Sequence, residues 1–353
     1  MPELEKLDWS ALDRLRATFL ARDAAATGPY WQNRAALAAY DATYAERIGW
    51  KWDALLRELR LRRWTPPAGT VLLDYGCGSG VAGRRVLAAF APGHFSALAL
   101  HDHSPEAVAF ATERAAGEFP GLPFRTFAPA TLDAPFTLVV SHVLNELPPA
   151  AREELVALAA LAAAVIWVEP GTHADSRALA AVRDNLRPGH RIIAPCTHRE
   201  NCPLFAEANA RDWCHFFAEP PPGVQNSSDW VRFAQRAGVD LRSQAYSCLV
   251  LEQGEGLAPD LEAQSGGAAR ALGRPEVFKP YARLLACDAR GLHWLELPKR
   301  VDPALVKRLD KNPPVPLYAL AHDGKRISAA TPLVAPPAPA ESPDTPAEAP
   351  AGD

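Results

Sequence analysis

A glycine-rich loop between a short apolar strand and a helix constrains the fold of this chain more than any other feature. Residues 71–74 (Val-Leu-Leu-Asp) precede glycines at 76, 78 and 80, and a helical run over 81–90 follows. Glycine permits positive φ and lets a ligand press against the backbone. The helix N-terminus adds free N–H groups and a partial positive charge. This order predicts the first unit of a parallel α/β sheet with a ligand site at its edge.

Strand-like and helical runs alternate from residue 71 to residue 252. Such alternation predicts a mostly parallel sheet covered by helices on both faces. The predicted fold class is α/β: a Rossmann-like sheet with an N-terminal helical segment, a cysteine-rich insertion and a small C-terminal β-rich unit. The predicted strands are 71–74, 97–101, 136–141, 165–169 and 245–252, and the predicted helices are 81–90, 105–119, 150–162, 176–186 and 228–237.

The chain outside this alternation divides into further parts. Residues 1–64 are predicted to form helices at 11–26, 35–47 and 52–63, ahead of the sheet domain 65–253 and its insertion 191–217. A linker over 254–267 leads to a small basic β-rich domain over 268–328. Residues 329–353 are rich in Pro and Ala, and we expect them to be disordered because they hold too little apolar surface to bury.

Composition excludes several classes of protein. Hydrophobic residues make up 48% and charged residues 22%, which is typical of a soluble globular chain, and the net charge of −4 shows no global basic excess. No apolar run approaches the ~20 residues of a membrane span, and the N-terminus lacks the pattern of a secretory signal. Six cysteines in 353 residues do not indicate a disulfide framework. We therefore expect a cytoplasmic protein without a membrane partner, where clustered cysteines favour metal binding.

The glycine spacing distinguishes between nucleotide ligands. A nicotinamide site would show Gly-x-Gly-x-x-Gly, whereas this loop is acidic-x-Gly-x-Gly-x-Gly and resembles the first motif of S-adenosylmethionine (SAM)-dependent methyltransferases. The cofactor's ammonium would meet the acidic residue, and an acidic residue ending the second strand would accept the ribose hydroxyls. A glycine turn in a sheet without ligand is the alternative. The predicted cofactor-binding residues are Asp74, Gly76, Gly78, Gly80, Asp102 and, for the adenine edge, Asp133.

Polar residues follow the fourth strand, in the segment Ser141-His-Val-Leu-Asn-Glu-Leu147. In open α/β sheets the chemistry lies beyond the carboxyl ends of the strands. We therefore predict His142 as a base and Asn145 and Glu146 as residues that orient an acceptor, although methyl transfer needs mainly alignment. Capping or packing roles are the alternative. No Asn-Pro-Pro-Tyr-like loop is present, so methylation of an exocyclic base amine is unsupported.

Four cysteines are spaced C-x5-C-x11-C-x33-C at Cys196, Cys202, Cys214 and Cys248. Zinc sites usually pair ligands two to four residues apart, and no such pair exists here, although His198 and His215 could compete as zinc ligands. Iron–sulfur ligation tolerates wider spacing and often places proline after its last cysteine, as in Cys202-Pro203. The spacing also allows scattered core cysteines. Cys77 and Cys287 fall outside the group, and we expect both to be packing residues.

These segments together resemble one known family: the methyltransferase-like assembly factors of the mitochondrial small ribosomal subunit and their bacterial relatives. The resemblance covers roughly residues 70–280. The residues that carry it are Asp74–Gly80, Ser141–Leu147, Val168-Glu-Pro-Gly171, Ile193-Ala-Pro-Cys-Thr-His198, Cys202-Pro203, Trp213-Cys-His-Phe-Phe217, Ala245-Tyr-Ser-Cys248 and Arg274-Pro275.

The resemblance implies a SAM-binding Rossmann-like domain and association with small-subunit ribosomal RNA during assembly. It also implies a [4Fe–4S] cluster carried by Cys196, Cys202, Cys214 and Cys248, with zinc as the alternative metal. Methyl transfer to ribosomal RNA is the activity we favour, and we expect no DNA partner. Two other hypotheses remain: a non-catalytic ribosome assembly chaperone, and a small-molecule methyltransferase with a zinc site.

A local excess of positive charge independently favours an RNA partner. Between Ser265 and Lys311 there are ten Lys and Arg against five Asp and Glu. Such a stretch suits phosphate contact, with His293 and Trp294 available for stacking; an ordinary solvated face is the alternative. The predicted RNA-binding residues are Arg274, Lys279, Arg283, Lys299, Arg300, Lys307 and Arg308.

Overall fold

The computed structural model describes residues 7–20, 33–127, 134–264, 267–309 and 315–334. Its N-terminal segment contains helices α1 (Trp9–Leu20) and α2 (Arg34–Tyr40), and a π-helical turn, Asp41–Ala45, leads directly into α3 (Glu46–Leu61). The sequence predicted separate helices over 35–47 and 52–63. That separation is wrong, because α3 is continuous through residues 48–51. Gly49 does not interrupt the helix because it packs on Arg85, whose Nε would lie 2.8 Å from an added Cβ.

The central sheet has the order β3-β2-β1-β4-β5-β8-β6, with β7 also pairing with β8. Strands β1 to β5 are parallel, and β8 runs antiparallel to β5, β6 and β7. The predicted fold class is confirmed. The elements are β1 (Val71–Tyr75), α4 (Val81–Ala89), β2 (Ala97–His101), α5 (Pro105–Glu118), β3 (Phe124–Thr126), β4 (Phe136–Ser141), α6 (Pro149–Leu161), β5 (Ala164–Pro170), α7 (His173–Leu186), β6 (His190–Ala194), β7 (Phe216–Ala218), α8 (Ser228–Ala237) and β8 (Gln244–Gln253).

Neighbouring residues of each strand fill two different cores, as the alternation of side chains in a strand requires. Leu72 packs with α3 and α4 on one face of the sheet, through Leu55 and Val86. Leu73 packs with α6 and α7 on the other face, through Leu155 and Leu179. Because both faces are covered, the strands are continuous apolar runs, and this explains why they were recognisable in the sequence.

The insertion 191–217 is more regular than its sequence indicates. It holds most of β6, the start of β7 and two short 3₁₀ turns, Pro203–Phe205 and Glu207–Asn209. Strand β6 pairs with β8 and buries Ile192 and Ile193. Its apolar run is too short to show a period, so pairing with β8 decides its conformation.

A closed five-stranded barrel follows the sheet, with the order β9-β10-β11-β13-β12. Its strands are β9 (Ala268–Val277), β10 (Tyr281–Asp288), β11 (Gly291–Pro298), β12 (Leu317–Asp323) and β13 (Arg326–Pro332), and helices α9 (Pro259–Glu262) and α10 (Pro303–Leu309) precede β9 and β12 respectively. The barrel extends beyond residue 328, the predicted end of the C-terminal domain, because β13 continues to Pro332. Residues 329–332 pair with β12 through the backbone, so their low apolar content did not prevent a strand.

Ion pairs connect the N-terminal helix, the sheet domain and the barrel. The Glu58 carboxylate of α3 binds Arg270 of β9 at 2.7 and 3.0 Å, and both residues are at most 5% exposed. Arg270 also donates to the Pro195 carbonyl at 2.9 Å. Arg62 donates to the Ile193 carbonyl at 2.6 Å and to Asp260 at 2.8 Å. Residues 254–264, the described part of the expected linker 254–267 apart from Gly267, are thus anchored through Asp260.

Within the described ranges, no helix combines the length and the apolar character that crossing a membrane requires.

We predict that Glu58→Gln destabilises the protein by about 3–5 kcal/mol, because it leaves the buried Arg270 guanidinium without its counter-charge. Urea unfolding monitored by circular dichroism measures this change. The matched control is Asp13→Asn, which breaks the exposed pair with Arg236 and should change the free energy of unfolding little. Equal effects of the two substitutions would contradict the structural role assigned to the buried pair.

Candidate functional site

The glycine loop has the left-handed backbone that its sequence predicts. Gly76, Gly78 and Gly80 have φ of 72°, 51° and 78°. A Cβ added to Gly76 would lie 2.6 Å from Val143 Cγ2, and one added to Gly80 would lie 2.8 Å from Ala111 Cβ. Both the backbone conformation and the close packing therefore require glycine.

Asp74 lies fully buried beneath this loop. Its Oδ2 accepts the Gly83 N–H at 2.9 Å, while Oδ1 has no hydrogen-bond partner among the described residues. Burial raises the pKa of Asp74 to about 7. A cation placed beside the carboxyl group would stabilise its charged form.

Asp102 directly follows β2 and accepts hydrogen bonds from the glycine loop and from the start of α5. Its Oδ2 accepts the Gly78 N–H at 2.9 Å, and its Oδ1 accepts the Ser104 N–H at 3.0 Å. The structure thus brings together five of the six predicted cofactor-binding residues. The sixth, Asp133, lies outside the described residues.

The first predicted catalytic residue, His142, follows β4 with φ of 57°, unusual for a residue other than glycine. Its Nε2 lies 3.2 Å from Lys51 Nζ of α3. Burial lowers the pKa of Lys51 to about 7, and burial together with Lys51 holds the pKa of His142 well below its usual value. Sequence reasoning missed Lys51. The available sequence signal was its position between two tryptophans, Trp50 and Trp52. In the structure Trp52 donates to Ser141 Oγ at 2.9 Å, which brings this part of α3 to the end of β4.

Asn145 and Glu146 lie in the turn after His142, with Asn145 exposed and Glu146 half-buried. A second missed residue, Glu169 of β5, holds this turn from below. Its Oε1 accepts from Trp167 Nε1 at 2.7 Å and from the N–H groups of Val143 and Leu144, each at 3.2 Å. Burial raises the pKa of Glu169 to about 7. Glu169 belongs to the Val-Glu-Pro-Gly motif, which was the available signal.

The four predicted metal ligands, Cys196, Cys202, Cys214 and Cys248, line one pocket between α7, β8 and the barrel. Cys287 of β10 lines the same pocket, and its Sγ lies 3.5 Å from His198 Nε2. The expectation that Cys287 lies outside the group is therefore wrong, because closure of the barrel against the sheet brings it there. All six cysteines are free thiols.

Burial suppresses ionisation of two of the predicted ligands, Cys202 and Cys214. It raises the pKa of Cys202 to about 12 and that of Cys214 well above its usual value, the latter with a contribution from the neighbouring thiols. Arg183 closes the pocket by donating to the carbonyls of His198 and Glu200 at 2.6 and 2.5 Å. Among the described residues, no three thiols, imidazoles or carboxylates are close enough to hold a single metal ion.

The predicted RNA-binding residues are distributed over the barrel rather than on one stripe. Arg274 lies over the Phe217 ring at 4.2 Å, and Arg283 is paired with Glu276. Trp294 is exposed, whereas the neighbouring His293 lies 3.5 Å from Asp288 and does not share its face. The remaining predicted residues, Lys279, Lys299, Arg300, Lys307 and Arg308, are exposed.

A family model described as "Mitochondrial small ribosomal subunit Rsm22" matches residues 60–288. The chain belongs to the Rsm22 family. The resemblance expected from the sequence is thereby confirmed, and the match includes the glycine loop, the segment 141–147 and all four predicted ligand cysteines. No curated protein sequence matches the chain.

Solved structures with a similar fold include methyltransferases. The YcgJ protein of Bacillus subtilis is 11% identical over 57% of this chain and 99% of its own, with a TM-score of 0.34. CurJ carbon methyltransferase is 14% identical over 63% and 58%, with a TM-score of 0.33. TrmK of M. capricolum, solved with S-adenosylhomocysteine, is 8% identical over 57% and 69%, with a TM-score of 0.31. At such identities the likeness concerns the fold.

We predict that the free energy of unfolding of this protein, measured without ligand, depends on pH because of Asp74. The folded pKa, about 7, exceeds the unfolded value of about 3.9. The carboxyl group therefore stabilises the fold below about pH 4, and this contribution is lost as the pH rises through about 7. Asp74→Asn should remove this loss, at most about 1.4 kcal/mol per pH unit between the two values.

Urea unfolding at intervals from about pH 5 to about pH 8 measures the difference between parent and variant. Asp323→Asn removes an exposed carboxylate and serves as the matched control, with the parental pH profile expected. An Asp74→Asn profile parallel to that of the parent would show that the carboxyl group does not titrate as assigned.

Proposed function

We propose that this protein is a SAM-dependent, iron–sulfur-containing, methyltransferase-like factor that docks on small-subunit ribosomal RNA. The observation that carries the proposal is the match over residues 60–288 to a family named for the mitochondrial small ribosomal subunit. That range holds the glycine loop, the cysteine pocket and the first two barrel strands. We further propose a reducing compartment, the cytoplasm, where clustered cysteines favour metal binding.

The residues of the glycine loop fit SAM in charge and hydrogen-bonding capacity. The unpartnered Oδ1 of Asp74 suits an ammonium, and the tight glycine turn leaves backbone N–H groups at the N-terminus of α4 for a carboxylate. Asp102 retains acceptor capacity for ribose hydroxyls beside Gly78. Asp133 stays a prediction for the adenine edge.

SAM would supply a methyl group on a sulfonium, already activated for transfer. The protein's task is then to align an acceptor and to accept a proton from an O–H or N–H nucleophile. The Lys51–His142 pair, 3.2 Å apart, is suited to that proton because burial favours its neutral form. Asn145 is exposed at the same edge and suited to contact the acceptor, with Glu146 beside it.

We place the proposed [4Fe–4S] cluster at the cysteine pocket, because all four cysteines that the family resemblance implies as ligands line it. In such a cluster each thiolate binds a different iron, so the four sulfurs lie farther apart than around one ion. Zinc stays the alternative metal. Arg183 and Arg270 are buried at the pocket, and both interact electrostatically with its thiols. They would offset the negative charge of a thiolate-bound cluster.

Titration calorimetry with SAM and with S-adenosylhomocysteine tests the cofactor. We expect Asp74→Asn to weaken SAM binding about tenfold or more, since it removes a charge-assisted contact with the ammonium. Phe124→Leu, an exposed change at the start of the edge strand β3, is the control. Parental affinity in Asp74→Asn would contradict the cofactor's placement.

Labelled SAM incubated with small-subunit precursor particles tests methyl transfer. If the protein is an enzyme, label enters the RNA, and Lys51→Met lowers the rate of transfer while SAM affinity is kept. If SAM binds but no label is transferred under any condition, the non-catalytic chaperone hypothesis is favoured.

Anaerobic purification with iron, sulfide and zinc analysis tests the metal. We expect a brown protein with stoichiometric iron and sulfide, and loss of both in Cys214→Ser or Cys248→Ser, because each removes a thiolate ligand. Cys77→Ser is the matched control, since Cys77 is buried in the loop away from the pocket. A colourless protein with one zinc would overturn the cluster.

A further inference from the structure

The barrel has a specific topology. Strands β9 to β13 close in the order first-second-third-fifth-fourth, the third and fifth strands are parallel, and α10 lies between the third and fourth strands. This is the arrangement of an OB-fold, a five-stranded barrel whose second and third strands form a face that can bind extended polymers. Here that face is formed by β10 and β11.

One half of this face is already occupied within the chain. Leu285 and Cys287 of β10, with Leu292 of β11, pack against the core that the barrel shares with the sheet domain. The barrel is therefore held in a fixed position, and the other half of the face is turned to solvent.

The exposed half carries aromatic rings on both sides of an arginine. The Arg283 guanidinium lies 5.2 Å from the Trp294 ring and 5.9 Å from the Phe278 ring. Trp294 is 43% exposed and Phe278 is 42% exposed, and the Phe278 ring lies 4.9 Å from that of Tyr281. Neighbouring exposed aromatics rimmed by polar residues are typical of interaction sites, and rings beside a guanidinium offer planar surfaces on which bases can stack.

Charge around these rings favours an anionic polymer. The described barrel residues, 267–309 and 315–334, contain eleven Lys and Arg against five Asp and Glu, and ten of these cations remain when the buried Arg270, paired with Glu58, is left out. Across the face, Glu276, Arg283, Glu296 and Arg326 form one cross-strand row of alternating sign. The cations Lys279, Lys299, Arg300 and Lys325 are exposed at its rim.

Backbone hydrogen bonds hold the segments that carry two of the rim cations, Lys299 and Lys325, next to the face. The Lys299 N–H donates to the Pro280 carbonyl at 2.8 Å, next to Lys279. The Glu296 N–H donates to the Lys325 carbonyl at 2.7 Å, which places the β12–β13 turn beside Trp294's strand. Positive charge therefore flanks the aromatic rings on two sides, as a backbone with regularly spaced phosphates requires.

We propose that the face formed by Phe278, Arg283 and Trp294 binds single-stranded RNA, with unpaired bases stacked on the two rings and phosphates along the rim cations. This inference rests on the proposed docking to ribosomal RNA and narrows its target to an unpaired segment. A duplex would not serve, because its bases are stacked on each other and their planar faces are unavailable.

Fluorescence anisotropy of the full chain with labelled oligouridine of about 12 nucleotides, a length within the range that one OB-fold covers, tests the proposal. Trp294→Leu and Phe278→Leu keep an apolar side chain and remove the aromatic plane. Each should weaken binding about tenfold, the loss of one base–aromatic stack, while Phe124→Leu on β3 leaves binding unchanged. A double-stranded RNA of the same length should bind more weakly and be unaffected by the two substitutions.

Ultraviolet crosslinking of the parental protein to oligouridine, with the crosslinked peptides identified by mass spectrometry, provides a second measurement that does not depend on variant folding. Crosslinks at Phe278 and Trp294 support the proposal, and crosslinks confined to other segments overturn it. Parental affinity in both leucine variants, or equal binding of single and double strands, overturns it too.

Pull-down of small-subunit RNA from lysate separates this inference from the proposed function. If the particle binds and oligouridine does not, docking stands and the single-strand face is wrong. If oligouridine binds through Trp294 and small-subunit RNA is not enriched, the face stands and the ribosomal assignment is wrong.

Discussion

The buried ion pair between Glu58 and Arg270 determines how the parts of this molecule are arranged. A carboxylate and a guanidinium removed from water stabilise a fold only if each finds its partner with good geometry, and here the guanidinium also binds the Pro195 carbonyl. One interaction thus specifies the positions of α3, of the chain after β6 and of the first barrel strand. Arg62, the residue that follows α3, adds contacts to Ile193 and Asp260. The barrel is packed firmly against the sheet domain, because Arg270 of its first strand binds Glu58 and the Pro195 carbonyl in the protein interior.

The cysteine pocket is a consequence of this arrangement. Cys196 follows the β6 segment that Arg270 and Arg62 hold, Cys248 lies on β8, and Cys287 comes from the barrel. These thiols are distant in sequence and share a pocket because the sheet and the barrel are held together by the buried pair. Two serine hydroxyls, of Ser176 and Ser247, donate to the Cys214 carbonyl at 2.6 and 2.5 Å, so the third cysteine is positioned by the sheet domain as well.

The sequence predicted the elements whose signal is local. The buried strands 97–101 and 136–141 and the helix 228–237 agree residue for residue with the structure, since apolar runs, caps and glycines mark them within a short window. Elements that depend on distant partners were missed: β6 and β13 acquire strand geometry by pairing with β8 and β12. The same division holds for the site. The glycine loop and Asp102 were predicted from spacing, whereas Lys51 reaches His142 across 91 residues of sequence and Cys287 reaches the pocket only through barrel closure.

Three buried ionisable groups lie at the carboxyl edge of the sheet, and burial shifts the pKa of each toward its neutral form. Asp74 and Glu169 each use one oxygen to hold backbone N–H groups, and burial raises the pKa of both to about 7. Lys51 has its pKa lowered to about 7 by the same cause. Near neutral pH these three groups are therefore only partly ionised. Such an environment stabilises a cation that brings its own charge to Asp74, because two buried groups that neutralise each other cost less than either one alone. Asp74 of β1 thus supports the start of α4 through Gly83, and in the function proposed above its second oxygen is the one that would face a positively charged ligand.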